Sequence, residues 1–301
     1  MTARPKLGLA LGSGSARGWA HVGIIRALIE NAIAPDVVAG CSMGAMIGAA
    51  FAAGRIEQLE AWALSLDGKG VFGLLDLAFR GGLIKGERLL DFFHGNIVAC
   101  QFSELALPFA AVATDLASGD EIWLRDGKVS DAVRASCAVP GLFQPVLRDG
   151  RYLVDGSVVN PIPVSLCRAM GADVVIAVDL GSDRERLFGR PGKVERVDGS
   201  YRRRLFSALA RRRIRPALPN VVDMLPLPSL ADTLLGAINI MQEDIAKRRL
   251  IEEPPDVLLT PRLGPFGPFE YHRAALAIAE GRDTVLATLP SIRAALTADA
   301  A

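Results

Sequence analysis

With 301 residues, 50% of them apolar, and a formal charge of +1, the chain can bury one large α/β core and reads as a single domain. Its four cysteines, Cys41, Cys100, Cys137 and Cys167, are scattered without metal-ligand spacing, and no apolar run approaches the ~18 residues of a membrane span, which excludes a cysteine metal site and a membrane-crossing helix. No metal or cofactor is expected; with no secretory signal in the N-terminal stretch the expected location is the cytoplasm, a peripheral visit to a membrane being left open.

Leu7 to Leu11 reads as the first strand, and Gly12-Ser13-Gly14-Ser15-Ala16-Arg17-Gly18 follows it directly into a helix that opens Trp19-Ala20-His21-Val22-Gly23. Small residues there let backbone N–H groups converge at a helix start, where they can hold a phosphate or the oxyanion of an attacked ester. Two absences favour the oxyanion: a dinucleotide loop wants glycine where Arg17 stands, and no Gly-Lys-Ser/Thr is present. Asp36 to Ala39 is the next buried strand, Ala45 to Phe51 the next helix, and Gly40-Cys41-Ser42-Met43-Gly44 lies between them. A serine with glycines two before and two after can occupy a turn too tight for larger neighbours, which pushes its hydroxyl outward as a nucleophile.

Helical stretches follow from Ile56 to Leu66 and from Glu87 to Val98. Between them Leu66 to Lys85, rich in glycine, leucine and phenylalanine, reads either as a lid or acyl-chain wall or as an ordinary connection. Phe109 to Ala113 and Glu121 to Leu124 are strands paired across Ser118-Gly119-Asp120. Val129 to Cys137 is a helix stopped by Pro140, and a turn at Asp149-Gly150 leads into the strand Arg151 to Val154. Asn160-Pro161-Ile162-Pro163 starts a helix with proline in its first turn, and Ala172 to Val178 is a buried parallel strand. From Ser182 to Asn220, twelve basic residues against four acidic ones give +8, leaving −7 for the rest. That stretch fits an anionic membrane surface or a solvated insertion; nucleic acid would also attract it but is not expected as a partner. A helix from Leu230 to Arg249, a strand from Asp256 to Thr260 and a helix from Tyr271 to Leu289 end the pattern. The expected fold is a three-layer α/β/α sandwich on a mostly parallel sheet: a core over 6–181, a basic linker or insertion over 182–220, and 221–290 completing the same domain.

Something must activate Ser42. The chain has three histidines. His21 reads as a packed helix residue and His94 as a surface or cap residue. His272 would reproduce a Ser42, Asp155, His272 order, but it opens a polar-faced helix, and the nucleophile follows only the second strand. Asp155, delivered by the hairpin strand and followed by Gly156 for close backbone approach, is the better partner. Its ordinary carboxyl is a poor base, so the reading requires a dry pocket that raises its basicity, with Leu142, Phe143, Val154, Val158 and Val159 available to line it. Arg17 reads equally as an orienting or headgroup-attracting residue and as a solvated helix-start arginine.

Four stretches, the glycine loop with Trp19 to Gly23, the elbow 40–44, Ala135-Ser136-Cys137-Ala138-Val139-Pro140-Gly141-Leu142-Phe143-Gln144-Pro145-Val146 and Asp155-Gly156, resemble the patatin-like phospholipases, and more narrowly their bacterial branch akin to neuropathy target esterase. The resemblance spans residues 6 to about 180. It implies hydrolysis of lipid acyl esters by a Ser42–Asp155 dyad without histidine, with the Ser13, Gly14 and Ser15 amides as oxyanion donors. Gly12, Arg17, Gly18, Gly40, Gly44 and Gly156 support the motifs. Two positions depart from the family pattern: Ser15 where glycine is usual, which narrows the backbone angles of the loop, and Ser157 where glycine or alanine is common, which is expected to be harmless. The expected substrate is a phospholipid or lysophospholipid ester; a soluble carboxylesterase or thioesterase with the same dyad and a non-catalytic protein retaining the fold are the alternatives.

Overall fold

In the computed structural model of the protein the described residues are 4–66, 93, 95, 97–181, 230–264, 266–267 and 269–298. Most of the expected helix over 87–98, the segment 66–85 beyond Leu66, the basic stretch 182–220 and His94 lie outside them. The chain divides into two compact units, Met1–Arg184 with Ile240–Ala301, and Glu185–Asn239. Of the second, only the helical residues 230–239 are described.

The first unit is built on one eight-stranded sheet. Its strands are β1 (Leu7–Leu11), β2 (Val37–Cys41), β3 (Phe109–Asp115), β4 (Glu121–Leu124), β5 (Val146–Arg148), β6 (Arg151–Asp155), β7 (Val174–Val178) and β8 (Val257–Leu259). Neighbours run β5-β6-β3-β2-β1-β7-β8, with β4 also on β3. The run from β3 to β8 is parallel, whereas β4, β5 and β6 pair antiparallel. The α-helices are α1 (Ala20–Glu30), α2 (Met43–Ala52), α3 (Ile56–Ser65), α4 (Val129–Ser136), α5 (Val164–Ala169), α6 (Leu230–Glu252) and α7 (Ala274–Ala298).

Alternation along β1 sorts the two faces. Leu7, Leu9 and Leu11 enter a large core that also holds Trp19, Ile24, Ile47 and Val285, while Ala10 points into a second, smaller core with Ala39, Ala110, Leu166 and Cys167. β1, β2, β3 and β7 are buried along their whole length, as parallel strands covered on both faces must be. Several element bounds differ from the sequence expectation, two of them instructively. The prolines at 161 and 163 precede α5, with Pro163 at its N-cap. The last helix continues through Pro290 to Ala298, because Ile292 beyond the proline is fully buried and that packing outweighs the lost hydrogen bond. Among the described residues no helix is long and apolar enough to cross a membrane.

Candidate active site

β3 acts as the ruler that sets the site. On one side its Ala111 and Val112 pair with Gly40 and Cys41 of β2, and on the other with Leu124 and Trp123 of β4. Its next residues, Ala113 and Thr114, stay with β4 but take Asp155 and Val154 of β6 as second partners. β2 and β6 therefore occupy successive lengths of one side of β3. β2 ends opposite Val112 and β6, running the other way, ends opposite Ala113. The residue after β2 is Ser42 and the last residue of β6 is Asp155, so two side chains far apart in sequence arrive at one junction.

At that junction the chain turns from β2 into α2 through Ser42, whose φ of 54° and ψ of −120° are sparsely populated for a residue with a side chain. The turn closes because Gly44 lies against β1: a Cβ there would stand 2.1 Å from the Leu11 carbonyl oxygen. Gly40 packs in the same way on the first turn of α2. The Ser42 amide donates to Ser136 Oγ at 2.9 Å, and two residues later the Ala138 carbonyl accepts from the Asp155 amide at 2.9 Å. The strip 135–138 thus clamps the backbones of both site residues. Its role was not assigned from sequence, where the stretch carried only the resemblance.

The glycine loop lies beside this turn, with Gly18 over the Met43 side chain. Ser15 adopts φ 51°, the region where glycine is easier, and its hydroxyl lies 3.0 Å from the Tyr271 hydroxyl. The Gly12 amide donates to Val178 O at 3.2 Å and the Ser13 amide to Pro161 O at 2.9 Å. Ser13 is thereby corrected as a donor for an oxyanion: its N–H anchors the loop to the scaffold. The Gly14 amide, and the Met43 amide at the orphaned start of α2, have no acceptor among the described residues. Arg17 is buried, with Nε and Nη2 donating to Phe266 O at 3.1 and 2.9 Å. This overturns its reading as a solvated or headgroup-facing arginine; it ties the loop to the C-terminal segment.

Asp155 is completely buried, and loss of hydration raises its carboxyl above the usual range, against hydrogen bonds from Ser157, Ser42 and Cys41 that hold it down. Its two oxygens are unequal. Oδ1 accepts from Ser157 N at 2.8 Å, from Ser157 Oγ at 2.6 Å and weakly from Cys41 Sγ at 3.9 Å. Oδ2 is buried and lacks a well-formed hydrogen bond; the Ser42 hydroxyl stands beside the carboxyl, near enough to stabilise its charge. Ser157 is not the harmless substitution expected, since its hydroxyl also accepts from Gln242 Nε2 at 2.6 Å.

No imidazole is bonded to Ser42 or Asp155 among the described residues. His272 is exposed, in the 3₁₀ turn Tyr271–Arg273. His21 is buried with its pKa lowered to about 4 by desolvation, so the ring is neutral at physiological pH. Its Nε2 lies 2.8 Å from Gly12 O; a carbonyl only accepts, so Nε2 carries the proton and His21 steadies the glycine loop. Among the described residues no three His, Cys, Asp or Glu side chains gather into a metal-binding group.

A sequence model of the family described as patatin-like phospholipase matches residues 9–168. The chain is 41% identical over 177 residues to an uncharacterized NTE family protein of Mycobacterium tuberculosis, which covers 58% of this chain and 49% of that protein. Over 187 residues it is 35% identical to the patatin-like phospholipase domain-containing protein 6 of Homo sapiens, covering 60% of this chain and 14% of that one. The structure of VipD from Legionella pneumophila covers 96% of this chain and 67% of its own, at 14% identity and a TM-score of 0.47. In these alignments the chain spans about half the length of the mycobacterial relative.

Proposed function

The chain belongs to the patatin-like phospholipase family, and on that premise we propose that it is a serine acyl hydrolase cleaving carboxylic ester bonds of phospholipids or lysophospholipids, with Ser42 as nucleophile and Asp155 as base. One observation carries the reading: a serine on a strained strand-to-helix turn beside a wholly buried carboxyl that has one oxygen saturated and the other open. Asp155 Oδ2 takes the Ser42 proton as Oγ attacks the acyl carbonyl. The Gly14 and Ser15 amides, with that of Met43, hold the oxyanion, and each such donor is worth about a hundred- to thousandfold in rate. As the ester C–O bond breaks, the alcohol leaves with the proton from Asp155. Asp155 then deprotonates a water, which attacks the acyl-enzyme; as the Oγ–acyl bond breaks, the proton returns from Asp155 to Ser42 Oγ and the acid is released. Burial supplies the basicity that a solvated aspartate lacks.

The test is serine-directed fluorophosphonate labelling combined with hydrolysis of micellar lysophosphatidylcholine and of a short water-soluble ester. The wild type should label and cleave the lipid, and Ser42→Ala should do neither. Asp155→Asn should lose about a thousandfold or more in kcat. Labelling that survives Ser42→Ala, or full activity in Asp155→Asn, would refute the dyad. Cleavage of the short ester alone would move the reading to a soluble carboxylesterase.

A further inference from the structure

Asp155 Oδ1 has a partner that itself has a partner. The Ser157 hydroxyl carries one proton. Gln242 Nε2 lies 2.6 Å from that oxygen and can only donate to it, so the hydroxyl proton is left for Asp155 Oδ1, also at 2.6 Å. The Ser157 amide closes on the same oxygen at 2.8 Å. The arrangement is built rather than incidental. Arg249 lies two helical turns beyond Gln242 on the same face of α6, and it donates to Val159 O at 3.2 Å and to Glu121 Oε2 at 2.7 Å. That face of α6 is thus fastened to the 157–159 segment at two heights, which fixes where Gln242 stands.

We propose that Gln242 and Ser157 form a two-bond relay that holds the Asp155 carboxylate through Oδ1, reserves Oδ2 for the Ser42 proton, and sets the pH at which the enzyme becomes active. Both are positioning residues; neither touches the reacting atoms. The proposal rests on the Ser42–Asp155 reading above. Each hydrogen bond to Oδ1 favours the ionised carboxyl and opposes desolvation, so the relay trims a basicity that burial raises.

The other groups around Asp155 do not compete for this titration. Cys41 on β2 and Cys137 after α4 have pKa values pushed up by burial, and Tyr271 is pushed up to about 12, so all three stay neutral. Glu121 on β4, whose charge also bears on Cys41, is paired with Arg249. Arg134 on α4, which bears on Cys137, donates to Gln144 O.

The experiment measures kcat against pH for the parent, Ser157→Ala, Gln242→Leu, the double variant and Asp155→Asn. Removing the Ser157 hydroxyl destabilises the carboxylate, so its acid limb should move up by about one pH unit; it would then run about tenfold slower than the parent on that limb and converge with it on the alkaline plateau. Gln242→Leu should shift the limb the same way by less, and the double variant should coincide with Ser157→Ala, because Gln242 acts only through Ser157. An unmoved inflection with kcat lowered at every pH would make Ser157 a packing residue and overturn the relay. Additive shifts would overturn the path through Ser157. Undiminished activity in Asp155→Asn would instead remove the dyad and the relay with it.

Discussion

The two strand ends that meet on β3 hold their site residues by opposite means. At the end of β2 the cost lies in the backbone: Ser42 is held at φ 54° and ψ −120°, while its side chain needs no unusual environment. At the end of β6 the backbone is relaxed, with φ −49° and ψ 134° at Asp155, and the cost lies in electrostatics, a carboxyl stripped of water with one oxygen unsatisfied. Geometry is fixed by sterics, which act over one or two residues, and basicity by the dielectric of a whole pocket. The two costs must therefore respond to different perturbations.

The largest effect is expected where the strained turn is closed. In Gly44→Ala the new methyl would stand 2.1 Å from the Leu11 carbonyl oxygen, on β1, an interior strand of the sheet, where neither backbone can retreat. A loss of several kcal/mol, seen as unfolded or insoluble protein in a thermal melt, is expected. Next comes acid lability through His21. Its pKa falls from 6.5 in the unfolded chain to about 4 in the fold, so the unfolded state binds the proton first as pH drops. The stability His21 contributes is complete above about pH 6.5 and is lost progressively toward pH 4, by about 3 kcal/mol in all. Urea midpoints across that window should fall, and His21→Gln, which keeps an N–H for Gly12 O and does not titrate, should flatten the decline.

How much of this was legible in the sequence follows the same division. The elbow could be read because its steric demand falls on residues two before and two after the serine, and both are glycine. β1 and β4 have the expected bounds for similar local reasons, being short apolar runs bordered by turn residues. Asp155 could be reached through its hairpin, but the meeting of β2 and β6 on one side of β3 depends on register across most of the domain. Ser157 with Gln242, Ser136 with the Ser42 amide and Ser15 with Tyr271 left no local signal, since each partner is remote in sequence and ordinary in type. The engagement of the Ser13 amide was invisible because a backbone donor looks alike in every residue. Arg17 misled because arginine is seldom buried, and a remote backbone acceptor, the Phe266 carbonyl, helps make its burial tolerable.

The sharpest comparison comes from removing each cost separately in the folded protein. Asp155→Asn keeps the acceptor that Ser157 addresses and removes the charge. Because the native carboxyl titrates above its unfolded value, its ionisation lowers stability as pH rises through the folded pKa and costs nothing below the ordinary carboxylate range. The asparagine variant should therefore melt higher than the parent at neutral and alkaline pH, with the gain shrinking as pH falls toward 4. Ser42→Gly relieves the positive φ at a residue where glycine is at ease. About 1 kcal/mol of stabilisation should remain after the added entropy of the unfolded chain, and it should be the same at every pH. Two inactive variants, both more stable than the parent, one with pH dependence and one without, would separate electrostatic from steric cost. A Ser42→Gly gain that tracked pH, or an Asp155→Asn gain that did not, would mean that the two costs are coupled through the Ser42 hydroxyl.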